Sequence, residues 1–542
     1  MKRKWIVANL ALATALAIAL APSGFAQEPE HQHHHDGAEN LGTVNFPVSC
    51  APAVQPAFNR AMALLYSFEY ESSLQAFEKI SATDSKCAMA KWGQAMSLYH
   101  QLWDRPSKEN LRSGAEYLRK AKALKAPTAR EQEYIGALTI FYSDPDKLDH
   151  GKRASAYSDA MRKVYEHNPQ DPEAAVLYAL SLLGSANEND TEHTNDKAAV
   201  SILTRLFDQQ PTHPGIAHFI IHSCDNPSMA SLALPAARKY ATIAPASAHA
   251  VHMPSHIFAR LGLWQDDIQS NLAAIQIADK MMDMKLHVLH HRLHSMDFLE
   301  YAYLQIGDDA NAKAQVTAIE GIRRADVDAN FEDYFETHRA SFPAVYLIER
   351  RQWKQALQLQ PEKDAVPSAQ SIAFWARAIA AGHLHDAAAA SDALKHFDEL
   401  VEATRKGAKP YTAAYLKNNR EEVQAWADYA SGKPEEALKR MRSVADTQDK
   451  VGKGETELPA REMLADMLLE TGKAQEALEQ YEIALKTDPN RFNGLYGAAQ
   501  AAGLVQQKDK AAAYYAQLLK NCSGSQSDRP ELQQAKLLVA AN

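Results

Sequence analysis

The stretch "SAHAVHMPSHIFARLG", residues 247 to 262, sets His249, His252 and His256 three and four residues apart, so a helix carries all three on one side. Upstream, "THPGIAHFIIHSCD" repeats the last of those spacings with His218 and His222. Imidazole is the commonest transition-metal ligand, and its neutral form suits copper, iron, zinc or nickel. Side chains four apart on a helix have Cβ atoms roughly 5–6 Å apart, and packed helices lie about 8–10 Å axis to axis. Four imidazoles on two adjacent helices, His218, His222, His252 and His256, therefore converge on one ion or a close pair.

What must position them is an array. "LPAREMLADMLLETGKAQEALEQYEIALKTDPN", from Leu458 to Asn490, has Leu464, Ala465, Ala477, Tyr481, Ala484 and Pro489 at the spacings of a 34-residue tetratricopeptide repeat. The next 34 residues keep the register with Ala499, Ala511 and Tyr515, and "NRAMALLYSFEYESSLQAFEKI" fits it near the start. Alanine- and leucine-rich amphipathic segments broken by Gly, Pro or Asp-Pro recur between, and no run of strands interrupts them. The expectation is an all-α tetratricopeptide-type helical-hairpin solenoid with a concave groove.

The histidines fall in register on that array. Pro211 and Pro245, His218 and His252, and His222 and His256 are each 34 apart, and aligning Gly262 and Gly307 with Gly472 brings in His294, Asp297 and Tyr301. Three consecutive first helices then present His218, His222 and Asp225; His249, His252 and His256; and His294, Asp297 and Tyr301 to one groove. Asp225 and Asp297 either ligate or accept the outer ring N–H of a ligand histidine and fix its tautomer. Arg260 and Tyr301 are the candidates for proton transfer or for holding an anionic substrate. His287, His290 and His291 hold the register less well and read as loop or outer residues. His100 joins the groove only if its own repeat is in register.

The segments "CAMAKWGQAMSLYHQLW", "HPGIAHFIIHSCDNP", "HAVHMPSHIFARLGLWQDDIQSN" and "LHSMDFLEYAYLQIG" resemble a group of exported bacterial tetratricopeptide repeat proteins over roughly residues 50 to 350. The resemblance implies the repeat fold and marks His218, His222, Asp225, His249, His252, His256, His294 and Asp297 as motif positions. It brings no settled activity with it. The extra histidines of "HVLHHRLH" depart from the group's usual wording.

The chain has 542 residues, and its net charge of −9 implies no broad basic face, which argues against nucleic acid as a partner. "MKRK", the apolar run to Ala21 and "GFA" before Gln27 read as a signal peptide, residues 1–26. The expected compartment is periplasmic or secreted, with no stable membrane anchor. A mature start at Gln27 excludes an N-terminal histidine brace. Residues 27–49, including "HQHHHD" at 31–36, read as a disordered tail with a compositional metal tract. Residues 50–350 form the array with the histidine site, 351–525 a second array and 526–542 a terminal tail. Four cysteines in an exported chain permit disulfides, with Cys50 and Cys87 flanking the first repeat as the preferred pair.

Three functions remain open at this level. The first is an exported scaffold holding a transition metal (copper, iron or zinc) in its central groove while flanking repeats engage a protein or peptide. The second is a metalloenzyme on the same cluster, a copper or iron oxidase or oxygenase, or a zinc hydrolase. The third is a metal-free peptide groove, which the His and Asp at groove positions disfavour.

Overall fold

The computed structural model describes residues 40–540, apart from 103–104, 188–189, 285–287 and 405–409. The signal peptide, the histidine tract at 31–36 and His287 lie outside the described residues. Among the described residues the chain is helix and turn with no strand, arranged as successive antiparallel hairpins from Gln55–Tyr66 with Tyr70–Thr83 to Phe492–Leu504 with Lys508–Asn521. It is an all-α helical-hairpin solenoid, as its 34-residue period requires.

Local chemistry sets where the helices begin. Asp149 and Asp171 accept the N–H groups of Lys152 and Glu173, and Pro172 occupies the first turn, where a missing N–H costs nothing. Cys50 and Cys87 are bonded across the first hairpin, their Cα atoms 4.8 Å apart, whereas Cys224 and Cys522 are buried thiols. A 37-residue separation constrains the unfolded chain by about 4 kcal/mol. Reduction should therefore raise amide exchange in the first two hairpins and leave the last four at their former rates.

Two stretches read as tails are ordered parts of the fold. Leu41, Val44 and Phe46 are buried, and the Thr43 N–H donates to the Thr212 carbonyl at 2.9 Å. These apolar residues cover surface the first hairpins would otherwise expose. At the other end Pro530–Ala540 is a helix that packs Leu532 and Ala535 onto the last hairpin. An array needs such a cap because its final repeat has an apolar face with no successor.

The solenoid closes on itself. The Trp264 indole donates to the Asn490 carbonyl at 2.9 Å, Asn490 Nδ2 to the Gly262 carbonyl at 3.2 Å, and the Phe492 N–H to Gln305 Oε1 at 3.0 Å. Gly262 has φ +63°, and a Cβ there would lie 2.2 Å from the Pro489 carbonyl oxygen. Gly262→Ala should therefore loosen this closure, lowering the unfolding midpoint by the equivalent of about 1–3 kcal/mol. A midpoint equal to that of the parent would remove the closure from the account. The far end of the chain is thereby held against the histidine repeats.

Candidate metal centre

Three helices carry the histidines. Pro214–Ser223 starts at His213, whose Nδ1 accepts the Ile216 N–H, with Pro214 preset for the first turn. The second starts at Ser247, whose hydroxyl accepts the Ala250 N–H and donates to Glu69 Oε1 at 2.7 Å. It runs Ala248–His252, turns at Met253 and resumes as Pro254–Arg260. Pro254 has no N–H for the Ala250 carbonyl, so the helix read as continuous from the sequence is interrupted in the middle of its histidines. The third helix is Leu289–Gln305.

This arrangement divides the rings into two triads. His218, His222 and His249 offer ring nitrogens within 4.8 Å of one another, and so do His252, His256 and His294. Sequence spacing grouped His218 and His222 with His252 and His256. In the structure the second helix instead gives His249 to its upstream neighbour and keeps His252 and His256 for the helix downstream. The triads adjoin, with the His222 and His256 rings 6.5 Å apart.

In the first triad the tautomer of His218 follows from its partner. Its Nδ1 lies 2.6 Å from the Tyr66 carbonyl oxygen, which only accepts, so Nδ1 carries the proton. Burial pushes this imidazole down to about 3, so it is neutral and Nε2 holds a single lone pair. That lone pair faces His222 Nε2 at 3.0 Å and His249 Nε2 at 3.1 Å. Burial likewise holds His222 and His249 well below the usual imidazole range, reinforced by neighbouring histidines. One lone pair accepts one donor well, and the three ring nitrogens lie close enough together to hold one cation between them. Nitrogens 2.0–2.1 Å from a tetrahedral ion are about 3.3 Å apart, close to both separations. Phe68 closes the back of the triad, 4.4 Å from the His218 ring centroid to centroid.

The second triad is held from outside by side chains. His252 Nδ1 lies 2.6 Å from Asn271 Oδ1, and the Asn271 amide donates to Asp267 at 2.7 Å, which orients the oxygen toward the ring. His252 Nε2 is thereby turned toward His256 Nε2, 3.1 Å away, with the His294 ring 4.5 Å from that of His252. His256 Nδ1 is flanked by Asp225 Oδ2 at 2.9 Å and Glu455 Oε1 at 2.8 Å. Burial alone would lower His256, but the Glu455 and Asp225 carboxylates outweigh it and hold the ring up at about 10. A second N–H on His256 would face His252 Nε2 across this 3.1 Å gap, in the place an ion would take. Phe298 backs this triad as Phe68 backs the first, 5.0 Å from His252 and 4.8 Å from His256.

The other candidates take varied places. Asp225 lies outside the triads, accepting from His256 and, at 3.0 Å, from Arg260 Nε. Arg260 also reaches the Lys453 carbonyl and Glu455, so its guanidinium fills the space beside Asp225, His256 and Glu455 that a further cation would need. Asp297 accepts from the Thr456 hydroxyl at 2.8 Å. Tyr301 sits in the closure of the solenoid, bonded to Arg491 and packed against Trp264. The His291 ring lies 5.4 Å from His249, while His290 stacks on Phe331. His100 stacks on Tyr70, which stacks on Phe68, so a layer of rings separates it from the triad.

Three participants were not found from sequence. The Tyr66 carbonyl carries no side-chain signal. Asn271 had one, as a polar residue that shares with Asp267 a buried face otherwise made by Trp264, Ile268, Ala274 and Ala278. Glu455 belongs to the loop before Ala460–Glu470, some 200 residues from His256, and no period connects the two.

No family model matches the chain, and no curated protein matches it. Among solved structures it is similar to the human IFIT1 dimer with m7Gppp-AAAA, at 11% identity over 80% of this chain and 90% of that one, TM-score 0.35. The TPR domain of P58(IPK) is 14% identical over 84% of this chain and 99% of that one, TM-score 0.21. The fold assignment rests on the chain's own hairpins.

Proposed function

We propose that this chain is an exported metal-binding solenoid whose central repeats hold two transition-metal ions, one in each histidine triad. The observation that carries the reading is His218 Nε2. Its ring is locked by the Tyr66 carbonyl, and its one lone pair meets two further ring nitrogens at 3.0 and 3.1 Å. Export follows from the N-terminal sequence and from the resemblance to exported repeat proteins, and the Cys50–Cys87 bond agrees with an oxidising compartment. The histidine face offers little to a peptide, because Lys453–Thr456 already lies against it. A protein partner would engage other repeats.

Elemental analysis of the untagged mature protein tests the proposal, with two ions per chain expected. A metal-free protein that gains no ions on dialysis against copper, zinc or iron would end it. The triads should also differ in their proton linkage. His218, His222 and His249 are neutral at pH 7, so protons do not compete for the first ion. His256 still holds its proton there, so the second ion must expel it. Loading at pH 8 should release about one proton per chain, and the second affinity should fall about tenfold per pH unit on acidification. Indicator-dye titration beside calorimetry at two pH values reads both effects.

A second reading, a metalloenzyme, is favoured by the ligand count. Three protein nitrogens per ion leave a coordination position for an exogenous molecule, as in catalytic rather than structural sites.

A further inference from the structure

We infer that the two triads hold copper, and that the pair reduces dioxygen with one electron from each ion. This rests on the two-ion reading above and deepens it by naming the metal and the small molecule.

The ligand chemistry comes first. Each triad offers imidazole nitrogen alone, and the nearby carboxylates are committed elsewhere. Asp225 and Glu455 hold His256 and Arg260, and Asp297 accepts from Thr456. Hard ions such as Mg, Ca and Mn need oxygen ligands, whereas imidazole suits copper and zinc, and copper tops the affinity order for a given nitrogen site.

Charge decides between the two. Each of the six ligands binds an ion as a neutral imidazole, His256 after giving up its proton, while Phe68 and Phe298 back them and His218, His249 and His252 are almost wholly buried. The desolvation penalty of an ion rises with the square of its charge. A buried, uncharged nitrogen set therefore favours the monocation Cu(I) over the dication Zn(II). Three nitrogens also suffice for Cu(I) and leave one side of each ion open.

Adjacency then supplies a reaction. Two Cu(I) ions become two Cu(II) ions, and the two electrons pass to one dioxygen, which leaves as hydrogen peroxide after taking up two protons. An ene-diol such as ascorbate returns both copper ions to Cu(I), losing two electrons and two protons. The sum is ascorbate plus dioxygen giving dehydroascorbate plus hydrogen peroxide.

The test uses the mature full chain freed of metal. It is titrated without air with Cu(I), against a chromophoric Cu(I) chelator and against excess Zn(II), and dioxygen is then admitted. Two Cu(I) per chain, retained against zinc, with one dioxygen consumed and one hydrogen peroxide released per copper pair, are expected. His222→Ala, which opens one triad at its more accessible edge, should keep one copper, release no hydrogen peroxide from dioxygen by the pair reaction and show one full Cu(II) spin after oxidation with ferricyanide, with circular dichroism confirming its fold. Displacement by zinc, two Cu(I) that take up no dioxygen, or dioxygen uptake without release of hydrogen peroxide would each overturn the inference and leave the two-ion reading standing. Failure to bind copper, zinc or iron at all would overturn both.

Discussion

His218→Ala combined with His252→Ala should abolish bound metal in both triads. Each substitution removes the ring whose outer nitrogen is most firmly held, by the Tyr66 carbonyl at 2.6 Å in one triad and Asn271 at 2.6 Å in the other. The expected loss of affinity exceeds the 10–100-fold typical of removing an outer partner of a ligand. Asn271→Ala and Glu455→Gln should fall within that smaller range, since they free a ring without deleting it. The apo double variant should lose only about 1–3 kcal/mol of stability per site, from the orphaned acceptors and lost volume. Equilibrium dialysis followed by elemental analysis gives the affinity, and urea unfolding of the apo proteins gives the stability. If the double variant kept both ions, the triads would not be the binding site.

Arg491→Met should destabilise the protein more than any of the histidine changes. The guanidinium is about 1% exposed and spans Glu349 Oε1 at 2.6 Å and Glu462 Oε1 at 2.9 Å, with Tyr301 on its third side. Burial opposes its charge, yet the two carboxylates hold its pKa far above the ordinary arginine range. Methionine conserves much of the volume and leaves two buried carboxylates without a counter-charge, a loss of about 3–5 kcal/mol. Adding Glu349→Gln and Glu462→Gln to Arg491→Met should recover much of it. Metal retention should also decline in Arg491→Met, because Glu462 lies in the first turn of the helix that follows the Glu455 loop. Lys473→Ala, which breaks an exposed pair with Glu435, should leave both readouts unchanged. Unfolding midpoints with metal content at matched temperature separate these outcomes. A stability equal to the parent's would mean that the closure is not held by this ion network.

The histidine register was legible because a repeat protein writes its geometry into its period. Pairs 34 residues apart, His218 with His252 and His222 with His256, must occupy equivalent places on successive first helices. The first two of the three helices that meet at the centre follow from that alone, and aligning Gly307 with Gly472 adds the third. Spacing did not supply the partition of the rings, because it depends on the turn at Met253 and on which neighbour each end of the broken helix faces. Nor did it supply the role of Tyr301, whose repeat position matched a groove residue while the closing repeats covered it with Arg491.

By itself, then, the sequence determined an all-α array and the side chains that gather at its centre, since local propensity and period are properties of neighbouring residues, while it offered Cys50 and Cys87 only as the preferred pair among four cysteines. Only the tertiary structure decided that the array closes, and that Glu455, from the second array, comes to rest 2.8 Å from His256. It also decided that the Tyr66 carbonyl fixes the proton of His218. Those contacts join residues some 150 to 200 positions apart through a small rotation accumulated repeat by repeat. No single repeat encodes that sum.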